Sequence, residues 1–223
     1  MRFKYHSNTI ERLQDCGKYF IESSHSNKNI LEDIKDKDYF DVEKNFGNNN
    51  PLILEIGCGL GRFACEYALK HPEYNILAIE RVATIILSGA ERAKQENIEN
   101  VRFMQARAEC LQKYFPHESI DSIFLNFSCP LPKRGYIKQR LTSPRFLEIY
   151  KDLLIPNGYL YQKTDQKDFF DYSLETIRAA GFDIDYLTDD LHNSQIPNIM
   201  TEYEARFVLQ GQPIYALIAR KKS

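Results

Sequence analysis

The sequence predicts an α/β protein built on a doubly wound, mostly parallel sheet, and three observations carry that reading. From Pro51 onward, apolar β-favouring runs alternate with stretches of helical periodicity, the pattern of strand–helix–strand crossovers. The first run, residues 52–56, opens directly into glycines at alternate positions, Gly57, Gly59 and Gly61. An acidic residue, Glu80, closes the next run about 20 residues on, the spacing of a carboxylate that meets a ribose hydroxyl.

Each element follows from its own pattern. Residues 52–56 form an apolar, β-favouring run that contains Glu55, as suits a strand buried on both faces. Residues 62–70 read as the helix after the glycines, and 75–79 as the second strand. Residues 82–96 form a helix with a small, apolar face made of Ile85, Ile86, Gly89, Ala90 and Ala93. A third strand covers 101–104, and a short helix over 109–115 ends at Pro116. Strand 120–127 runs into Cys129-Pro130-Leu131-Pro132. Helical spacing returns over 146–154, and Pro156-Asn157-Gly158 turns the chain into strand 159–163. Helix 167–180 stops at Gly181, strand 182–187 follows, and 213–219 is the last strand. The result is a seven-stranded sheet, and the helix-rich detour before the last strand suits one antiparallel strand. Ligands of such sheets sit beyond the carboxyl ends of the strands. Residues 55–61, Glu80, 126–132 and Thr164-Asp165 are therefore expected to converge on one cleft.

Residues 1–45 differ in character. They are polar, broken by Asn/Ser-rich stretches at 23–29 and, just beyond, at 47–50. Only weak helical periodicity appears, at Ile30, Leu31 and Ile34 and then Tyr39, Phe40 and Val42. They predict an N-terminal extension that packs on the domain or orders on a partner, preceding one domain over 46–223.

Composition narrows the function classes. A chain of 223 residues with 43% hydrophobic and 27% charged residues is long enough to bury one α/β core. No run approaches the roughly 18 apolar residues of a membrane span. The five cysteines, Cys16, Cys58, Cys65, Cys110 and Cys129, are odd in number and form no CxxC pair, so free thiols are expected rather than a disulfide frame or a metal site. With no apolar signal core in Met1–His6, the expected compartment is the cytoplasm. A net charge of −2 excludes a global basic signature, so any nucleic-acid binding must come from a local patch. Lys133, Arg134, Lys138, Arg140 and Arg145 supply one within thirteen residues, readable as a solvated loop or as a phosphate-binding segment.

The glycine turn does not by itself choose the cofactor. Glu55, two residues before Gly57, makes the pattern E-x-G-x-G-x-G. A carboxylate there can face an amino-acid ammonium group, which S-adenosyl-L-methionine has and a nicotinamide dinucleotide lacks. The alternative is a capping or salt-bridged glutamate.

Downstream, the run Leu125-Asn126-Phe127-Ser128-Cys129-Pro130-Leu131-Pro132-Lys133-Arg134, then Lys138, Arg140-Leu141-Thr142 and Phe146-Leu147, resembles the bacterial tRNA (guanine-N7-)-methyltransferases. So do Lys163-Thr164-Asp165, Leu191-His192-Asn193-Ser194, Asn198-Ile199-Met200-Thr201-Glu202-Tyr203-Glu204 and Gly211-Gln212-Pro213-Ile214-Tyr215. The resemblance spans residues 46–218 in order. It implies a class I methyltransferase (Rossmann-like) fold and transfer of a methyl group from S-adenosyl-L-methionine to N7 of a guanine in the tRNA variable loop. It also implies site roles. Glu55, Gly57, Gly59, Glu80, Arg107 and Ala108 stand at cofactor-binding positions. Lys133, Arg134, Arg140, Asp165, Thr201, Tyr203 and Glu204 stand at substrate-binding positions. Thr201-x-x-Glu204 is equally the pattern of a helix capping box, and both roles can hold together. The implied partner is tRNA, with no membrane and no metal, and the chain is expected to act as a monomer or homodimer.

The chain departs from this family at two acidic positions. Cys129-Pro130-Leu131-Pro132-Lys133 replaces Asp-Pro-Trp-Pro-Lys, so the position the family uses catalytically is Cys129, and Arg107-Ala108 replaces Asp-Ala. The family's His after the basic pair is absent, with Gly135-Tyr136 in its place. A thiol carries neither a carboxylate's charge nor its two acceptor oxygens, and losing a transition-state contact of that kind costs about 10²-fold or more. These departures keep open two further readings, a catalytically weak paralog that binds tRNA or a partner protein, and a methyltransferase for another substrate.

Overall fold

A computed structural model of the chain describes residues 8–23 and 34–223. Met1–His6, the break expected over 24–29 and the periodic Ile30 and Leu31 lie outside the described residues. The residues up to Pro116 make one compact unit and those from His117 a second.

In the first unit the strands are β1 (Phe20–Ile21), β2 (Leu52–Ile56), β3 (Asn75–Glu80) and β4 (Val101–Gln105), ordered β1-β4-β3-β2 and all parallel. Every residue of β2 is buried, which is why its sequence is apolar on both faces apart from Glu55. Helices Arg62–Lys70 and Ala83–Gln95 follow β2 and β3, within a residue or so of the expected bounds. The small face predicted for the second helix has a specific use. Gly61 and Gly89 approach so closely that a Cβ on Gly61 would lie 2.5 Å from Phe103 Cε1 and 2.8 Å from Gly89 Cα. Gly61 also sits at φ 80°, where L side chains are strained.

The sheet gains a strand that sequence reading missed. β1 has only two residues, too few to show alternation, and it is defined by its parallel register Phe20↔Phe103 and Ile21↔Met104. The helix before it, Thr9–Asp15, buries Leu13 and is tied to the second helix by a forked pair, Arg12 Nε and Nη2 to the two Glu91 oxygens at 2.9 and 2.8 Å. Buried Arg102 completes the attachment. Its guanidinium donates to the carbonyls of Asn45, Glu99 and Val101 at 2.8–3.0 Å, between the rings of Tyr19 and Phe46. Residues 8–23 and those around Phe46 are thus built into the first unit. The helix expected over 109–115 is a tight turn, Ala108–Cys110, followed by the single helical turn Leu111–Tyr114.

In the second unit β5 (Ile120–Asn126), β6 (Leu154–Thr164), β7 (Asp183–Thr188) and β8 (Tyr215–Arg220) are ordered β5-β6-β8-β7. β5 and β6 are parallel, and β8 is antiparallel to both of its neighbours, so the one antiparallel strand is the last one, as expected. The Pro156-Asn157-Gly158 turn lies inside β6 rather than before it. Pairing to β5 shifts register there, and a Cβ on Gly158 would meet Asp121 O at 2.8 Å. Helices Pro144–Leu153 and Lys167–Ala179 bury Phe146, Leu147, Tyr150, Phe169 and Ile177 in this unit.

Gly61→Ala is expected to lower stability by about 2–4 kcal/mol, combining overpacking against Phe103 with a left-handed alanine. Urea denaturation measures it, and Gly135→Ala, with open space around its Cβ, serves as the near-neutral control.

Candidate active site

The glycine turn grows out of β2 under a simple constraint. Gly57 and Gly59 take φ 79° and 57°, and the N–H groups of Gly57 and Cys58 both donate to Ile79 O, at 2.8 and 3.1 Å. The turn is thereby pinned to the end of β3. A Cβ on Gly57 or Gly59 would meet nothing within 4 Å, so backbone conformation requires these glycines and the space above them stays open. Glu55 is buried beneath the turn. Glu80, half-buried, accepts through Oε1 from the N–H groups of Arg81 and Val82 at 2.9 and 3.1 Å, which sets its orientation. Cys58 reports the field between them. Burial pushes its thiol well above its usual range, and the charges of Glu55 and Glu80 push it further. Ala106 N–H donates to Glu80 O at 3.1 Å, so the segment with Arg107 and Ala108 begins where β3 ends. Ala108 is buried, whereas Arg107 is exposed with Nε 3.7 Å from Glu109 Oε2. These cofactor candidates all lie at the carboxyl ends of β2, β3 and β4.

The second unit holds the other candidates. Beyond β5 the chain bends at Phe127, passes exposed Cys129, and bends again at Leu131, both bends at positive φ. Lys133 and Arg134 follow, exposed, and lead into the short turn Arg134–Gln139, which buries none of its residues. Lys133, Arg134 and Lys138 form no ion pair among the described residues. Half-buried Asp165, just after β6, accepts from Gln166 Nε2. Tyr203 is half-exposed, with the Arg206 guanidinium 5.7 Å from its ring centroid.

Three substrate candidates are placed inside the protein. Arg140 is buried, its guanidinium 4.5 Å from the Tyr172 ring centroid and 5.5 Å from that of Phe169. Thr201 caps helix Glu202–Val208 in a complete capping box with Glu204. Glu204 is fully buried and pairs with Lys163 Nζ at 2.6 Å. Thr201 and Glu204, expected at substrate-binding positions, are thus hydrogen-bonded within the protein, and Arg140 is buried with its Nε unpartnered. Reading the sequence also left Lys163, His192 and Asn198 without roles. The signal was available, since all three lie in the quoted motifs. Among the described residues no His, Cys, Asp or Glu cluster is arranged to hold a metal, and no helix is long and apolar enough to cross a membrane.

Solved structures share this architecture. The 16S rRNA methyltransferase KamB has a TM-score of 0.60 at 13% identity, with 90% of this chain and 96% of that one covered. A SAM-dependent methyltransferase from Aquifex aeolicus has a TM-score of 0.54 at 14% identity, with 86% of this chain and 98% of that one covered. At such identities the likeness is one of fold, and the fold is that of the class I S-adenosylmethionine-dependent methyltransferases. Residues 49–217 match the family model described as "Putative methyltransferase". The tRNA (guanine-N(7)-)-methyltransferase of Lachnoclostridium phytofermentans is 42% identical over 176 residues, 78% of this chain and 82% of that protein. The protein of the same name from Listeria welshimeri is 35% identical over 221 residues, 99% of this chain and 98% of that one. The chain belongs to the tRNA (guanine-N7-)-methyltransferase family.

Thiol chemistry tests the burial pattern. In the native protein at pH 8, Cys129 is expected to react with an alkylating reagent while Cys16, Cys58, Cys65 and Cys110 are protected. Cys58 is expected to resist most strongly, because a raised pKa keeps it as the unreactive thiol at that pH. Mass spectrometry of labelled peptides before and after unfolding reads the result.

Proposed function

We propose that this protein transfers a methyl group from S-adenosylmethionine to N7 of a guanine in the tRNA variable loop. One observation carries the reading. A family relationship that extends over nearly the whole length of the Listeria protein coincides with an intact acidic glycine turn.

The residues around the turn fit that donor. Open space over Gly57 and Gly59 admits a ligand against the backbone, and the paired charge of Glu55 and Glu80 suits a cationic amino acid and a ribose diol. Glu55 would hold the ammonium group, Glu80 the ribose hydroxyls, and Ala108 with Arg107 would flank the adenine. When bound, the donor supplies an electrophilic sulfonium methyl group. Guanine N7 carries a lone pair and loses no proton on methylation, so the chain need supply no general base. Its work is to orient the base and exclude water. That removes the need for a reactive thiol at Cys129, and it makes the missing carboxylate a loss of electrostatic support rather than of a proton acceptor.

Lys133 and Arg134, exposed and without ion pairs among the described residues, would hold phosphates, and Asp165 would accept from the guanine N–H donors. Tyr203 would present a ring to the RNA. Arg107 and exposed Cys129 in place of family acids support a second reading, a paralog that binds tRNA and turns over slowly.

Incubation with labelled methyl donor and unmodified tRNA, followed by mapping of the methylated base, separates the two. Label at N7 of one variable-loop guanine is the expected result, and measurable tRNA binding with no transfer favours the second reading. Cys129→Asp is expected to raise turnover by roughly 10–10²-fold as the carboxylate is restored. An unchanged or lower rate would mean that the pocket is built around the thiol. Lys133→Ala is expected to weaken tRNA binding and to reduce the slope of log affinity against log salt by about 1.

A further inference from the structure

The bend after β5 is made by residues poorly suited to it. Phe127 and Leu131 have φ 51° and 43°, the left-handed region that bulky L residues avoid unless their surroundings hold them there. Cys129 lies between the two, and Lys133 two residues beyond. Each bend has its own buried cation.

At the first bend, Phe127 N–H donates to Lys163 O at 2.9 Å, and its ring stacks on Phe207 with centroids 6.0 Å apart. Lys163 Nζ lies 6.0 Å from the Phe127 ring centroid and donates to three acceptors: Glu204 Oε2 at 2.6 Å, Ile199 O at 2.7 Å and Asn198 Oδ1 at 2.9 Å. That is the full donor capacity of an ammonium group. Glu204 is saturated in turn. Oε2 also accepts from Thr201 N–H at 3.2 Å, while Oε1 faces Asn198 Nδ2 and, at 3.0 Å, His192 Nε2. With a hydrogen on that imidazole nitrogen, four donors meet the four acceptor sites of the carboxylate. No site is left for a guanine N–H. At the second bend, Leu131 O accepts from Arg140 Nη2 at 3.5 Å, with the guanidinium held against Tyr172 and Phe169.

We propose that Glu204, Lys163 and Arg140 are positioning residues for methyl transfer, holding the two left-handed bends that set where Cys129 and Lys133 stand, without touching the nucleotide. The proposal rests on the methyltransferase reading above but predicts a structural signature independent of activity.

The test uses the full-length protein with a trifluoromethyl label on Cys129, whose exposure contrasts with the burial of the other four cysteines, and reads the label by 19F NMR. The unaltered protein is expected to show one narrow resonance. Glu204→Gln leaves the Lys163 ammonium without its counter-charge, and is expected to split or broaden that line. In unlabelled protein it is expected to lower kcat at least tenfold, with affinity for S-adenosylmethionine changed less than threefold. The double variant Glu204→Gln/Lys163→Met removes the stranded charge, and is expected to recover the single line and at least threefold of the lost kcat. If Glu204 bound guanine directly, the double variant would be no more active than Glu204→Gln, tRNA affinity would fall, and the line would stay single. That result overturns the proposal. Leu131→Gly guards against variants that fail to fold, since glycine adopts φ 43° without strain. It is expected to keep the melting temperature, broaden the label's line and lower kcat, and an unchanged line overturns the proposal. Absence of transfer by the unaltered protein would remove the methyltransferase reading alone, with the NMR line still deciding this one.

Discussion

A parallel strand buried on both faces has to change direction abruptly at its carboxyl end if anything is to bind there, and this chain meets that constraint twice by opposite means. After β2 it uses residues that take positive φ freely, Gly57, Gly59 and Gly61. After β5 it uses Phe127 and Leu131, which do not, and surrounds them with buried cations. The first solution leaves bare backbone, which suits close approach by a small molecule. The second leaves side chains on a stiff bend, which suits presentation of Cys129 and Lys133 to a large one. The division of labour between a small donor and a polynucleotide acceptor thus has a counterpart in how the two turns are made.

Buried cations in this fold meet carbonyls, carboxylates and aromatic rings. Removing an ammonium or guanidinium from water is costly unless every donor finds an acceptor. Arg102 meets three backbone carbonyls between two rings, and Lys163 meets a carboxylate, an amide and a carbonyl. Arg140 combines a carbonyl with two aromatic faces and leaves its buried Nε without a hydrogen-bond partner. Each of these joins segments distant in sequence. Arg102 ties β4 to the residues around Tyr19 and Phe46, and Lys163 ties β6 to the segment 198–204. Lys133, Arg134 and Lys138, without ion pairs among the described residues, lie instead at or on a turn that buries none of its residues, where water solvates them.

Much of the fold was legible because its signals are local. Predominantly apolar runs marked β2 to β5, glycine and proline marked the turns, and small residues at helical spacing marked the face that Gly89 shares with Gly61. What escaped was defined by pairing rather than pattern. β1 exists through its register with Phe103 and Met104, and two residues carry no periodicity. β6 continues back through Asn157 and Gly158 because Asp121 O leaves room for nothing larger than glycine. The candidate site divides in the same way. Glu55 and Glu80 were readable from their spacing to the glycines. Motif membership alone could not separate Lys133, which faces water, from Arg140, seven residues on, which faces Tyr172.

The sequence by itself determined the class of fold, the acidic glycine turn and the family, since each is written in residue type and spacing. Only the tertiary structure decided which charged residues are available to a ligand. A carboxylate with four acceptor sites binds substrate if those sites are open and holds a scaffold if they are filled, and the filling groups at Glu204 come from residues 163, 192, 198 and 201. Two of those donors, Asn198 and Thr201, belong to the motif that carries Glu204, and the other two, Lys163 and His192, reach it only through the fold.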